Sequence, residues 1–326
     1  MFNIIQNRKI WLSFSGILVA VSLVFISIWG LNLGIDFTGG ALLEVEFEQE
    51  RPNKIAVDES LSKLNLDSLV TQPVGEKGMI IRFQNTSEEE HQAVITELKK
   101  LINNNTEIEL NLATGTDEQA TSTAPAIEID SLSLGGLTEL RFDAVGPSIG
   151  EELKSRSITA MIIVLIAIVA YIAWVFRKVS KPVESWKFGL SAIIALFHDV
   201  IIIIGIFAFL GEFYGIEVNT AFIAAILTVL GYSVNDTIVV FDRVRENLPK
   251  SEEDFESTIN TSVNQTIKRS LNTSITTLLV LGSVLLYGGE SIRSFVLALS
   301  IGVFIGTYSS IFLASPVLVV WEKFKK

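Results

Sequence analysis

Six apolar stretches, at 11–30, 158–176, 188–210, 218–241, 271–287 and 295–320, constrain this 326-residue chain more than any other feature. A hydrocarbon layer about 30 Å thick is crossed by a helix of roughly 20 apolar residues, each rising about 1.5 Å. Inside such a layer the backbone must satisfy its own hydrogen bonds, so each stretch is predicted to be a helix. The first stretch lacks a small-x-small cleavage site and continues into 31–40, which predicts a retained helix rather than a removed signal peptide.

Charge predicts how the spans are threaded. Residues 34–152 carry 23 acidic and 8 basic residues, a net of −15, which leaves +4 for the rest. Arg8 and Lys9 precede the first span, and Arg177, Lys178, Lys181 and Lys187 join the second to the third. Arg243, Arg245, Lys250, Lys268 and Arg269 lie between the fourth and fifth, and Lys323, Lys325 and Lys326 close the chain. Basic residues in short loops stay in the cytoplasm, so both termini are expected inside and the acidic segment outside.

That segment reads as one α+β domain. Leu43 to Glu48 alternate apolar and acidic residues, as a strand with one buried face does. A helix is predicted over 53–64 with Pro52 at its start. Two strands, 68–74 and 79–84, flank the turn Gly75-Glu76-Lys77-Gly78. Ser87 and Glu90 form a capping box ahead of Ala93, Val94, Leu98 and Leu101. A last strand is predicted within 137–145. The order β-α-β-β-α-β is that of a ferredoxin-like split unit, with a flexible insertion near 103–126 that has little apolar surface to bury. The domain limits follow as 1–33 for the first span, 34–155 for the outer domain and 156–326 for a five-helix bundle.

Soluble-enzyme chemistry has no foothold here. The chain has no cysteine, its two histidines lie far apart, and its glycine-rich segments lack the Lys-Ser/Thr of a phosphate loop. No catalytic residue, cofactor, metal site or nucleic-acid partner is expected.

Ionisable residues inside apolar spans cost at least about 2.5–3.5 kcal/mol, and such groups usually face a bundle interior. Asn235-Asp236 lies in the fourth span, where Asp236 is a candidate proton carrier or a structural hydrogen-bond partner. The fifth span opens with Arg269, Asn272, Thr273 and Thr276 at three- to four-residue spacing, a polar stripe predicted to face inward. Arg269 is either a partner for Asp236 or an anchor reaching the cytoplasmic interface. In the third span, His198-Asp199 suits a proton relay or a structural pair equally. Three spans with such groups at similar depth point to an ion pathway. Gly302 and Gly306 form a GxxxG suited to close helix contact, and Pro316 is expected to kink the last span.

Several motifs then appear in a fixed order: Gly34-Ile35-Asp36-Phe37-Thr38-Gly39-Gly40, Gly146-Pro147-Ser148-Ile149-Gly150, His198-Asp199, the run from Gly231 to Asn247 and Arg269-Ser270-Leu271-Asn272-Thr273-Ser274. With them the chain resembles the SecF branch of the SecD/SecF protein-export family, relatives of proton-driven RND transporters. The resemblance implies six transmembrane helices in an RND-like half-bundle, in a bacterial-type inner membrane or another energy-transducing membrane. It implies SecD, the SecYEG channel and an emerging unfolded preprotein as partners, and protons as the driving ion. It also implies roles for Asp236 as the membrane aspartate, for Arg269 as its basic partner and for Asp36, Gly39 and Gly40 as a coupling hinge. The rival readings are half of an RND-type exporter of small molecules or lipids, and a scaffold that transports nothing.

Overall fold

The structure is a computed structural model that describes residues 2–84, 87–113, 136–176 and 184–323. By backbone proximity the chain divides into two compact units, Met1–Gly34 with Leu153–Lys326, and Ile35–Glu152. Residues 114–126 of the expected insertion, and the basic residues Arg177, Lys178, Lys181, Lys325 and Lys326, lie outside the described residues.

The unit Ile35–Glu152 begins with a helical turn, α2 (Ile35–Thr38), followed by β1 (Gly40–Phe47), α3 (Lys54–Ser62), β2 (Val70–Val74), β3 (Gly78–Phe83), α4 (Glu88–Ala113) and β4 (Leu137–Val145). The four strands form one antiparallel sheet in the order β2-β3-β1-β4. Alternation in β1 sends Leu43, Val45 and Phe47 into a core with Met79, Ile81 and Phe83 of β3, Val57 and Leu61 of α3, and Val94 and Leu98 of α4. The helix α3 starts one residue later than the sequence suggests, because Asn53 caps it by accepting from the Ile55 amide and Pro52 stays outside. At the start of α4 the capping box forms: Ser87 Oγ accepts from the Glu90 amide at 3.3 Å and donates to the Glu90 carboxylate at 2.8 Å. That helix runs on to Ala113, so the first part of the expected insertion is helical; Glu107, Leu110 and Leu112 are good helix formers.

One irregularity redirects a side chain. The register between β1 and β4 shifts at Glu44/Val45, where Leu140 is the extra residue. Because of this bulge, Glu139 opposes Val45 and Phe142 opposes Leu43, both on the core side. His91 of α4 stacks on Phe142 at 3.8 Å between ring centroids, and its Nε2 lies 3.2 Å from Glu139.

The other unit holds α1 (Arg8–Trp29), most of α5 (Pro147–Val175), α6 (Ser185–Tyr214), α7 (Thr220–Asn247), α8 (Phe255–Tyr287), α9 (Glu290–Ser309), a π-helical turn (Ser310–Ala314) and α10 (Ser315–Lys323). Among the described residues six helices are long and apolar enough to cross a membrane, the last of them formed by α9, the π turn and α10 together. Glycines set the closest approaches. Gly205 of α6 lies against Ser22 of α1, while Gly302 and Gly306 of α9 lie against Val229 and Ser233 of α7. The expected GxxxG contact is thus the α7–α9 seam.

The helices extend beyond the apolar stretches. Helix α8 starts at Phe255 rather than near 271, since Ile259, Val263, Thr266 and Ser270 continue one buried face through polar sequence. Asn260 and Asn264 on this extension hold the N-terminal segment. Asn260 Oδ1 accepts from the Ile4 and Ile5 amides at 3.0 and 3.2 Å, and its Nδ2 donates to the Phe2 carbonyl. Arg8 pairs with Glu256 at 3.0 Å beside them. Asn260→Ala strands two buried amides, at a cost of about 1–3 kcal/mol. Hydrogen exchange at Ile4 and Ile5 is expected to accelerate at least about tenfold; unchanged protection would mean that packing of the two isoleucines alone holds the segment.

Candidate functional site

The polar residues of four helices meet within the membrane-spanning unit. Asp199 stands halfway along α6 and is fully buried. Its Oδ1 lies 2.9 Å from Nδ1 of the adjacent His198, and its Oδ2 accepts from Ser233 Oγ of α7 at 2.5 Å and Ser309 Oγ of α9 at 2.8 Å. One turn beyond Ser233 on α7 comes Asp236. Its Oδ1 accepts from Ser270 Oγ of α8 at 2.5 Å, and its Oδ2 accepts from Ser310 Oγ of the π turn. A hydroxyl string continues from there: Tyr232 and Ser274 are 2.9 Å apart, and Ser274 and Thr307 are 2.5 Å apart.

Small side chains make this geometry possible. Ser233 lies against Gly306, with only about 3.0 Å between the serine Cβ and the place a glycine Cβ would occupy. The approach brings hydroxyls of α9 and the π turn within reach of carboxylates on two neighbouring helices. A buried carboxylate survives only where its oxygens are hydrogen-bonded. Here the hydrogen-bond partners are hydroxyls and one imidazole, so each carboxylate keeps its hydrogen bonds in either protonation state. His198 is also buried, and its Nε2 has no hydrogen-bond partner among the described residues.

The α8 stripe requires a correction. Ser270 and Ser274 are the residues that face the bundle, while Arg269, Asn272, Thr273 and Thr276 are exposed on the chain taken alone. At about 100° per residue, a buried face already set by Thr266, Ser270 and Ser274 turns Asn272 and Thr276 outward. The Thr273 and Thr276 hydroxyls bond back to the carbonyls of Arg269 and Asn272 at 3.0 Å. Asn235 is exposed as well. A direct Arg269–Asp236 ion pair does not occur among the described residues, and the serines occupy both carboxylate oxygens.

The glycine-rich segment belongs to the other unit. Asp36 lies in the α2 turn, and Gly39 and Gly40 take φ values of +73° and +116°. A Cβ on Gly39 would stand 2.8 Å from Pro147 Cα, one on Gly40 2.8 Å from the Phe83 carbonyl, and one on Gly150 3.0 Å from the Gly39 nitrogen.

Sequence reasoning missed Ser233, Ser270, Ser309 and Ser310. The available signal was two consecutive serines shortly before Pro316. The proline, which lacks an amide hydrogen and crowds the carbonyl four residues back, accounts for the π turn at Ser310–Ala314.

A family model described as protein export membrane protein SecD/SecF, C-terminal, matches residues 131–324, and one described as SecD/SecF GG motif matches 24–50. A protein translocase subunit SecF of Thermobaculum terrenum is 38% identical, over 99% of this chain and 94% of its own length. One from Desulfurispirillum indicum is 40% identical over 94% of this chain and 88% of its own. Among solved structures, SecDF of Thermus thermophilus, a translocon-associated membrane protein, matches with a TM-score of 0.75 at 30% identity. The match covers 99% of this chain but 39% of that longer one. SecDF in a super-membrane-facing form matches with a TM-score of 0.62.

Proposed function

This chain belongs to the SecD/SecF family of protein-export membrane proteins, and from that premise we propose that it is an auxiliary subunit of the Sec translocase which, with SecD, couples a proton gradient to late protein translocation. The observation that carries the coupling is Asp236, a carboxylate in the middle of a membrane-length helix whose two oxygens are held by hydroxyls of two other elements. A group so placed exchanges a proton without losing its hydrogen bonds. One charge crossing 100 mV releases about 2.3 kcal/mol, enough to bias a two-state element roughly fifty-fold.

The exposed polar residues support a second half. Asn235, Arg269, Asn272 and Thr276 are uncovered on the single chain at or near lipid depth, where polar side chains are costly. Cover from a SecD half-bundle fits both this face and the length of the SecDF chain. In this reading the six spans form an RND-like half-bundle in the inner membrane with both termini in the cytoplasm. The unit Ile35–Glu152 is the outer ferredoxin-like domain, a reading supported by its β1-α3-β2-β3-α4-β4 chain order and its strand order. There it acts on preprotein leaving SecYEG, and no chemical turnover is required.

The test is gradient-dependent translocation into vesicles that hold the translocase, SecD and this chain. Asp236→Asn is expected to abolish the gradient-dependent part while the complex still assembles. Equal activity in variant and wild type would favour the scaffold reading. Gradient-driven efflux of a small molecule or lipid without any effect on preprotein would favour the exporter.

A further inference from the structure

Asp199 and Asp236 sit on different helices, yet the hydroxyls that reach them are consecutive in sequence. Ser309 donates to Asp199 Oδ2 at 2.8 Å, and Ser310 donates to Asp236 Oδ2. Both serines are fully buried where α9 gives way to the π turn. We propose that Ser309 and Ser310 are positioning residues that join the two carboxylates into one coupled unit, so that a change at either carboxylate is transmitted to the other through their shared peptide. The proposal rests on the proton-carrier reading of Asp236.

Each hydroxyl has a second acceptor within reach. Ser310 Oγ lies 3.0 Å from the Thr307 carbonyl, and Ser309 Oγ lies 3.1 Å from the Gly306 carbonyl. With Asp236 ionised, Ser310 donates to the carboxylate. When a proton from the gradient binds at Oδ2, the acid O–H donates to Ser310 Oγ, and the serine hydrogen turns to the Thr307 carbonyl. Protons balance, since one is added and the serine keeps its own. Ser309 has the same pair of choices with Asp199 and Gly306. The two rotors share a peptide unit in a turn already widened from α-helical geometry, and π turns of this kind recur at functional sites. A turn that must shift for one hydroxyl shifts for both.

Among the described residues the titratable and charged groups around the pair are His198 on α6, Tyr232 on α7, Arg269 on α8 and Tyr308 on α9; the π turn brings one hydroxyl, that of Ser310. Ser233 and Ser270 hold the remaining carboxylate oxygens, and neither links the two acids by adjacent residues.

The test is the pH profile of gradient-dependent translocation in the same vesicles, for wild type, Ser309→Ala, Ser310→Ala, the double variant and Ser310→Thr. Ser310→Ala is expected to displace the midpoint by about one pH unit, the effect of losing one hydrogen bond to a charged group. Ser309→Ala, which touches Asp199 alone, is expected to displace the same midpoint. The double variant should fall short of the sum of the single shifts, and Ser310→Thr should restore the wild-type profile. A midpoint unmoved by Ser309→Ala, or strictly additive shifts, would overturn the coupling while leaving Asp236 as the carrier. Stimulation that survives Asp236→Asn would overturn the carrier and the coupling together.

Discussion

Gly302→Ala is expected to reduce gradient-dependent translocation at least about tenfold, although residue 302 touches neither carboxylate. A Cβ there would stand 2.2 and 2.6 Å from the two Cγ atoms of Val229 and 2.9 Å from its Cβ. Valine is held to one rotamer in a helix, and Val229 is buried, so the obstruction has nowhere to go. Overpacking costs about 1–3 kcal/mol where side chains can yield; along this seam the helices must part instead. Seven and eight residues further along the same rod come Ser309 and Ser310, whose bonds weaken steeply once a separation passes about 3.5 Å. Parting α7 from α9 by more than about 1 Å therefore breaks the bond from Ser310 to Asp236 on α7, while Asp199, the acceptor of Ser309, lies on α6. Gly16→Ala is the control, because a Cβ on Gly16 meets nothing within 4 Å. Thermal unfolding of the purified protein, read beside translocation, checks the argument: Gly302→Ala behaving like Gly16→Ala in both would show the seam to be soft.

In the unit Ile35–Glu152 the larger loss is expected at Gly39→Ala. Two penalties combine there. The φ of +73° costs an L-residue about 1–2 kcal/mol, and the new Cβ meets Pro147 backbone atoms at 2.8 and 3.1 Å. Gly75→Ala separates the two, since its φ of +57° carries the first penalty and nothing lies within 4 Å. Gly39→Ala is expected to cost at least twice as much as Gly75→Ala. Hydrogen exchange in the segments 35–40 and 145–152 of the intact protein reads the difference. Equal protection in the two variants would mean that the contact with Pro147 gives way without cost.

Much of this architecture is legible in the chain because hydropathy is a bulk property. Twenty apolar residues announce a span whatever their order, and the alternation at Leu43–Glu48 announces a strand with one buried face. Helix ends are less legible. The N-terminal half of α8 is polar, and its buried face rests on Asn260, Ser262 and Thr266, residues that hydropathy counts as solvent-facing. Asp199 and Asp236 are readable since a charge in an apolar run is costly. Their partners are not: a serine costs little in either setting, so nothing distinguishes Ser270 from Thr273 until the helix phase is known. That phase is set by neighbouring helices, and it turns Asn272 and Thr276 away from this chain's own bundle.

The fit of Gly39 against Pro147 and Gly150 bears on how the ends of this unit are held. The polypeptide enters the unit Ile35–Glu152 near residue 35 and leaves it near 152, and at these places the incoming and outgoing backbones touch. Ends that lay apart would fray independently of each other. Backbones pinned to each other cannot slide past one another, so the two ends of this unit open together or not at all.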